Sequence, residues 1–398
     1  MNVLVINAGS SSLKYQVIDM KNETMLCKGL VERIGFEGSN LVHQTVGKEK
    51  LIIKKNLSNH TDALKIVITA LIDSEYGAIS DINEISAVGH RVLHSGEDFK
   101  DSVLINDEVI AICKKNAALG PLHMPANIAC IESCKEVMPD TPMVAVFDTG
   151  FHQTMPKHAY MYAIPYEDYK LYKIRKYGFH GTSHKYISGE ALKLVNKEDS
   201  KIITCHLGNG SSLSAVRGGK CIDTSMGLTP LEGVIMGTRS GDLDPAVVGF
   251  MADCKGISAN EVISILNKKS GFYGMTGTSD FRDLCAMAES GDEKAILTQL
   301  MFAYRIKKYI GSYFVALGGL DCIIFSGGIG ENSAVARELI MKGLECLGID
   351  FDYELNMATP KGKFAELTKP TSKVKVYIIP TNEELVIARD AVRLSGNK

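Results

Sequence analysis

Apolar and polar positions alternate in blocks from the first residues onward. Val3 to Ile6 is an apolar run, Asn7 to Ser12 is a polar turn rich in Gly and Ser, and Leu13 to Val17 is a second β run. Such a run, turn and run predicts a hairpin. The same pattern returns at Ile202 to Cys205, His206 to Ser212 and Leu213 to Val216, where Ser11-Ser12-Leu13 falls on Ser211-Ser212-Leu213 without a gap. Residues 24–56 read as short β runs broken by Gly29, Gly35, Gly38 and Gly47. Leu64, Val67, Ile68 and Leu71 share one face of a helix predicted over 61–74.

Strands are predicted at 85–90 and 143–147, and helices at 106–116 and 126–137. The second half repeats this grammar, with a polar loop region from its hairpin to residue 245 and helices after it. Ser279 is placed to cap a helix starting near Asp280. A long helix over 293–317 carries Ile296, Leu300, Ala303, Ile306, Ile310, Phe314 and Leu317 on one stripe, read as core or subunit interface. The strand Cys322 to Phe325 runs into Ser326 to Asn332, and the chain closes with a strand at 374–379 and a helix from Glu383 to about Arg393. No low-complexity linker separates the halves, so a domain boundary near residue 150 must be a tight crossing.

Composition narrows the class. A chain of 398 residues suggests two or three domains, and 45% apolar with 23% charged residues is ordinary for a globular protein. A net charge of −2 argues against nucleic acid or anionic membrane as a partner. The ten cysteines are scattered, with Cys130 and Cys134 the nearest pair and no C-x-x-C, which reads as reduced core residues of a cytoplasmic protein. The chain opens directly on a strand, so no signal peptide is expected, and no apolar run approaches the ~18 residues of a membrane span.

Three glycine-rich turns follow buried strands, at 7–12, 207–212 and 326–332. Backbone amides and hydroxyls at such turns make anion-binding concavities, and three of them suit a nucleotide better than three unrelated connections. The absence of Gly-Lys-Ser/Thr excludes a Walker A loop. Arg91 lies in Gly89-His90-Arg91 and Arg239 in Gly237-Thr238-Arg239. A lone arginine is most often a surface ion-pair partner, but between Gly and His in apolar surroundings these two read as placed groups that fork onto phosphate or carboxylate oxygens. His180 lies in Gly178-Phe179-His180-Gly181, with Thr182 or Ser183 placed to cap the following helix. The spacing from His180 to His184 would suit a metal pair, but no third ligand lies nearby. Asp148 and Glu383 are carboxylates at strand ends, and one or two such groups plus phosphate oxygens suffice for Mg²⁺.

With these residues laid out, the chain resembles the acetate kinase family over its whole length. The motifs are Asn7 to Lys14, Gly89 to His94, Phe147 to Pro156, Gly178 to His184, His206 to Ser212, Met236 to Pro245, Asp280 to Arg282, Gly327 to Asn332 and Thr381 to Glu384. The resemblance implies the α/β fold of acetate and sugar kinases, actin and heat-shock chaperone ATPases. That fold has two domains with duplicated ribonuclease H-like cores and nucleotide in the interdomain cleft. Residues 1–150 with the helix 383–398 would form the N-terminal domain, and 151–382 the nucleotide-binding and dimerisation domain.

The resemblance further implies ATP-dependent, Mg²⁺-dependent phosphorylation of acetate by a cytoplasmic homodimer, with Mn²⁺ able to substitute. Asn7 and Glu383 would hold the metal, and Lys14 would lie near the nucleotide. Arg91, Arg239 and His180 would bind the transferring phosphoryl group. Asp148, usually called the acid/base, would orient the acetate side; a carboxylate acceptor is already deprotonated at pH 7 and needs no base. His206, Leu207, Gly208, Asn209 and Gly210 would cradle phosphates. Asp280, Phe281, Arg282, Gly328, Ile329, Gly330, Glu331 and Asn332 would form the adenosine pocket. Leu93, Leu122, Phe179 and Pro230 would line the acceptor pocket, where Leu93 stands at a position expected to be valine in many members. The alternatives are a propionate kinase and an ATPase of the same fold with no carboxylate acceptor.

Overall fold

A computed structural model describes residues 1–121 and 123–396. Leu122, expected in the acceptor pocket, lies outside the described residues, as do the last two residues of the helix expected to reach 398. The chain forms two compact units, residues 1–153 with the segment from Asn382 onward, and Thr154–Thr381.

The first unit holds an eight-stranded sheet in the order β5-β4-β3-β2-β1-β6-β8-β7. Its strands are β1 Asn2–Ala8, β2 Ser12–Asp19, β3 Thr24–Glu32, β4 Asn40–Thr45, β5 Leu51–Lys54, β6 Ile85–Val92, β7 Val103–Leu104 and β8 Met143–Phe147. Strands β1 to β5 form an antiparallel meander, whereas β1, β6 and β8 run parallel. The continuous apolar run of β1 follows from burial on both faces, the usual condition of parallel strands. Leu4 and Ile6 join the core with the helix His60–Leu71, while Val3 and Val5 pack against Ile387, Ala388 and Ala391 of the helix Glu383–Ser395. Burying a side chain such as Ile387 contributes about 1.5–3 kcal/mol.

The second unit repeats the plan with six strands ordered β11-β10-β9-β12-β14-β13. They are β9 Lys201–Leu207, β10 Ser211–Arg217, β11 Lys220–Thr224, β12 Cys322–Ser326, β13 Ala365–Glu366 and β14 Lys375–Ile378. Again an antiparallel meander leads into parallel strands, here β9, β12 and β14. The order of meander and parallel neighbours matches in the two sheets, which makes them duplicated ribonuclease H-like cores.

Several sequence expectations change. Ala8 pairs with Leu13, leaving four residues in the first turn, whereas Leu207 pairs with Ser211, leaving three in the second. Ser212 therefore pairs with His206 inside the ladder, and Ser12 lies beyond the β1 ladder, so the ungapped Ser-Ser-Leu match is not a structural equivalence. Gly29 does not break β3; a Cβ there would lie 2.4 Å from the Tyr15 ring, so glycine makes room for it. Asp280, not Ser279, caps the helix Phe281–Glu289, its carboxylate accepting from the Arg282 amide. In the helix Glu293–Leu317, Ala303, Ile306, Ile310 and Leu317 are buried, but Ile296 and Leu300 are 40% and 50% exposed. At that end the helix turns Ala295, Gln299 and Phe302 inward instead, where Phe302 meets Phe281 with ring centroids 5.5 Å apart.

His90 of β6 is buried, and its Nε2 makes no hydrogen bond among the described residues. Burial pushes its pKa down to about 3. Because this lies below the unfolded value of ~6.5, the stability linked to His90 is complete above that pH and is lost as pH falls toward 3. Replacing His90 with Leu should remove that component. Chemical unfolding at pH 8 and pH 4 should then favour the variant over wild type by about 3 kcal/mol more at the lower pH. An equal difference at both would mean that His90 finds a partner in the folded protein.

Candidate active site

Three parallel strands of the first unit bring their C-terminal ends to one edge, where α/β sheets present ligand-binding groups. Asn7 lies near the end of β1, Arg91 near the end of β6, and Asp148 directly after β8. The guanidinium of Arg91 forks onto Asp148, Nε donating to Oδ1 at 3.1 Å and Nη2 to Oδ2 at 2.5 Å. Its Nη1 donates to Asn7 Oδ1 at 3.1 Å. The Asp148 side chain is only 5% exposed, so the fork is the main compensation for its charge. Asn127, from the helix Met124–Val137, donates Nδ2–H to the Ala8 carbonyl at 2.7 Å and accepts from the Leu93 amide at 3.0 Å. It ties the first hairpin turn to the end of β6.

The helix Glu383–Ser395 lies against β6 so closely that a Cβ on Gly89 would sit 2.4 Å from Ile387 Cγ2. Its first residue, Glu383, is raised to a pKa of about 7 by burial and by the neighbouring Asp148 charge, against the pull of Arg91. Glu383 thus opens a helix rather than closing a strand. Lys14, Asn7 and Glu384 line a cavity of about 450 Å³. Among the described residues no group of three His, Cys, Asp or Glu side chains could hold a metal. Mg²⁺ needs fewer protein ligands, because phosphate oxygens and water complete its shell. The Asn7 amide oxygen and the Glu383 carboxylate are hard oxygen donors, and a divalent cation would offset the burial and the Asp148 charge that disfavour the Glu383 anion, so these residues fit the ion.

In the second unit, His180 stands at the start of the helix Gly181–Val195 in a left-handed conformation, φ 57°. Neither Thr182 nor Ser183 caps that helix; both lie inside its first turn. Ser183 Oγ instead contacts His206 Nδ1 at 2.7 Å and Thr381 Oγ1 at 2.8 Å. The His180 ring packs tilted against His206 with centroids 4.4 Å apart, and burial pushes His206 down to about 4. Ser212 Oγ lies 2.8 Å from His180 Nδ1 and 2.7 Å from His184 Nε2, so the two histidines meet at a serine rather than at a metal.

A methyl group on Gly210 would lie 3.3 Å from His180 Nε2 and 3.5 Å from Arg239 Nη1, so the missing side chain leaves the space both groups face. Arg239 Nη1 donates to the Pro230 carbonyl at 3.3 Å, and burial lowers its pKa.

A cavity of about 970 Å³ gathers Gly208, Asn209, Asp280, Arg282, Gly328 and Asn332. Phe281 and Ile329 also border it, although Phe281 is mostly core and packs on Phe272. Three expected residues point elsewhere. Leu207 is fully buried in the core. The Gly330 carbonyl accepts from Arg337 Nη1 at 2.8 Å. The Glu331 carboxylate accepts from the amides of Gly327 at 2.8 Å and Thr381 at 3.1 Å, bracing the third turn, which is itself the short helix Gly327–Asn332. Of the acceptor-pocket residues, Leu93 and Phe179 are buried, and Pro230 sits under Arg239.

Sequence reasoning missed Asn127 and Arg337, single polar residues on helices with no motif around them. Ser212 and His184 stood inside quoted motifs, but only their contacts reveal what they do.

The close approach at Gly89 can be tested directly. Gly89→Val should force the helix off the sheet and destabilise the protein by about 1–3 kcal/mol. Thermal unfolding would register this as a lower midpoint, and an unchanged midpoint would mean that Ile387 swings aside without cost.

The acetokinase family profile matches residues 2–389. The chain is 56% identical over 397 residues to an acetate kinase of Treponema denticola, covering 99% of this chain and 100% of that protein. A crystal structure of Porphyromonas gingivalis acetate kinase superposes with a TM-score of 0.95 at 43% identity, covering 99% of both chains. A propionate kinase from Francisella tularensis superposes with 0.92 at 40% identity over the same shares. Full-length agreement at these identities covers both units and every element that carries a site residue: the chain belongs to the acetokinase family.

Proposed function

We propose that this chain catalyses reversible, Mg²⁺-dependent transfer of the ATP γ-phosphoryl group to acetate, giving acetyl phosphate and ADP by direct in-line displacement. The observation that carries the reading is the Arg91–Asp148 fork, set at parallel strand ends beside the half-buried Glu383 and the Asn7 amide oxygen.

Phosphoryl transfer demands positioning and charge stabilisation more than covalent chemistry. Arg91 binds oxygens of the acyl phosphate, and Arg239 and His180 bind the transferring group. Asp148 holds the Arg91 fork in plane and orients the acceptor side. It abstracts no proton, because acetate is ionised at pH 7. Asn7 and Glu383 would hold Mg²⁺, which would supply charge neutralisation at the phosphate oxygens. The second unit takes the nucleotide, with phosphates along His206 to Gly210 and adenosine in the cavity bordered by Asp280, Arg282, Gly328 and Asn332. The protein works as a cytoplasmic homodimer. Free cysteines throughout support a reducing compartment, and exposed Leu297, Leu300 and Tyr304 on the helix Glu293–Leu317 support a subunit contact.

Trapping acyl phosphate as hydroxamate tests the reaction. Mg·ATP with acetate should yield hydroxamate, and Arg91→Ala should lower the rate about 10³-fold. ATP consumed at the same rate without acetate, with no hydroxamate formed, would mean an ATPase instead.

The acceptor preference is a separate prediction. Leu93 in place of valine narrows the pocket, and one methylene discriminates by roughly 10- to 200-fold. Propionate should therefore be poorer than acetate by about tenfold or more in kcat/KM, and butyrate poorer still. Parity between propionate and acetate would favour the propionate kinase reading.

A further inference from the structure

We infer that Asp242 is a positioning residue for Arg239: it clasps the loop that carries this arginine and fastens that loop to the helix Glu293–Leu317. The inference rests on the proposed role of Arg239 in binding the transferring phosphoryl group.

Arg239 lies on a loop whose two arms meet at Gly233 and Asp242. The Asp242 amide donates to the Gly233 carbonyl at 2.8 Å, and the Gly233 amide donates back to Asp242 Oδ1 at 2.7 Å. These two bonds close the neck. Gly241 lies beside it with φ 69°, and a Cβ there would sit 2.5 Å from the Gly233 carbonyl oxygen, so the neck admits only glycine at that position. Inside the loop the Met236 amide donates to the Arg239 carbonyl at 3.1 Å, which turns the backbone of Arg239 back on its own loop.

A closed neck fixes the shape of a loop but not its place. The second carboxylate oxygen of Asp242 supplies the place. Tyr309 donates its hydroxyl to Oδ2 at 2.7 Å, and Arg305 Nη1 lies 3.3 Å from the same oxygen. Arg305 Nη1 also donates to the Asp242 carbonyl at 3.1 Å. Arg305 and Tyr309 stand four apart on one face of their helix, whose Ala303, Ile306 and Ile310 lie in the core of the second unit. Burial and the Asp242 charge raise the Tyr309 pKa, which keeps its hydroxyl a donor. One carboxylate thus joins the neck to the core.

The consequence falls on the guanidinium. Among the described residues no carboxylate holds Arg239; its Nη1 donates to the Pro230 carbonyl and faces the space left by Gly210. Its aim is therefore set by its backbone. Gly237 donates to the Asn209 carbonyl and Ser270 to the Thr238 carbonyl, which keeps the loop folded. Losing the clasp should accordingly displace Arg239 without unravelling the loop.

The test is a double-mutant cycle in the full-length protein, read as hydroxamate formed from acyl phosphate. Arg239→Ala should lower kcat about 10³-fold. Asp242→Ala should lower it about 10²-fold, as a misplacement of about 1 Å does, with little change in the KM for ATP. The double variant should match Arg239→Ala alone, not the ~10⁵-fold product of two independent losses. Asp242→Asn keeps an acceptor for the Gly233 amide and should recover part of the rate. Tyr309→Phe removes one hydroxyl and serves if the Asp242 variants fail to fold; its loss should likewise vanish beside Arg239→Ala. Additive losses in these cycles, or a wild-type kcat in Asp242→Ala, would overturn the proposal. Calorimetry with inorganic phosphate, without nucleotide, reads the same cycle apart from turnover. Asp242→Ala should weaken phosphate binding in the wild-type background and have no further effect beside Arg239→Ala. That pattern with no acyl phosphate formed by wild type would leave the clasp standing and refute the proposed reaction instead.

Discussion

A guanidinium and a carboxylate drawn out of water must find each other, and in the first unit Arg91 and Asp148 do so across neighbouring parallel strands. The sheet register puts Arg91 opposite Val146 and Val92 opposite Phe147, so Asp148 emerges one residue beyond the ladder, level with the fork. Losing one partner of a buried pair typically costs about 3–5 kcal/mol, because the other charge is stranded. The pairing of Arg91 with Asp148 and the presentation of Asn7 are therefore tied to the strand register, while the helix Glu383–Ser395 is held against the sheet by its apolar face. Arg91, proposed to bind phosphate, and Asn7, proposed to bind the metal, are thus joined in one hydrogen-bonded group at this edge of the sheet.

The second unit has the same sheet order and a different chemistry. Its first hairpin turn is one residue shorter, which draws Ser212 into the ladder opposite His206. Thr204 and His206, two apart on β9, share a face and give His184 and Ser183 of the helix Gly181–Val195 their partners. Where the first unit places an arginine–carboxylate pair at its strand ends, the second places hydroxyls and imidazoles.

Much of this was legible in the residues. The hairpins, the parallel strands and the placement of Arg91, Asp148 and His180 follow from apolar runs ending in Gly, His and Asp. The failures share a cause, since each depended on which neighbour an element meets. Spacing alone put Ile296 and Leu300 on the buried stripe, but the helix Phe281–Glu289 covers a different face at that end. Ser279 is an acceptable cap one residue early, but the helix starts at Phe281, so Asp280 holds the capping position and accepts from the Arg282 amide. Thr182 and Ser183 have capping chemistry, yet the left-handed turn at His180 starts the helix before them. Asn127 left no trace because its value lies in two backbone groups, Ala8 and Leu93, far apart in the chain.

Three arginines show how the same side chain divides between support and binding. Arg91 is paired with a carboxylate, so its charge is largely spoken for and its remaining edge offers geometry. Arg337 is fully enclosed; it donates to Asn356 and to the Gly330 and Glu331 carbonyls, and burial lowers it to about 10. Its charge serves to pin the end of the helix Gly327–Asn332. Arg239 is desolvated as well, but among the described residues it meets only the Pro230 carbonyl and the Met236 sulfur, and its Nη1 faces the gap at Gly210. A desolvated cation without a carboxylate is unfavourable in the empty protein and favourable once an anion fills the gap. That asymmetry, more than its position in a motif, supports the proposed binding role of Arg239 and a structural role for Arg337.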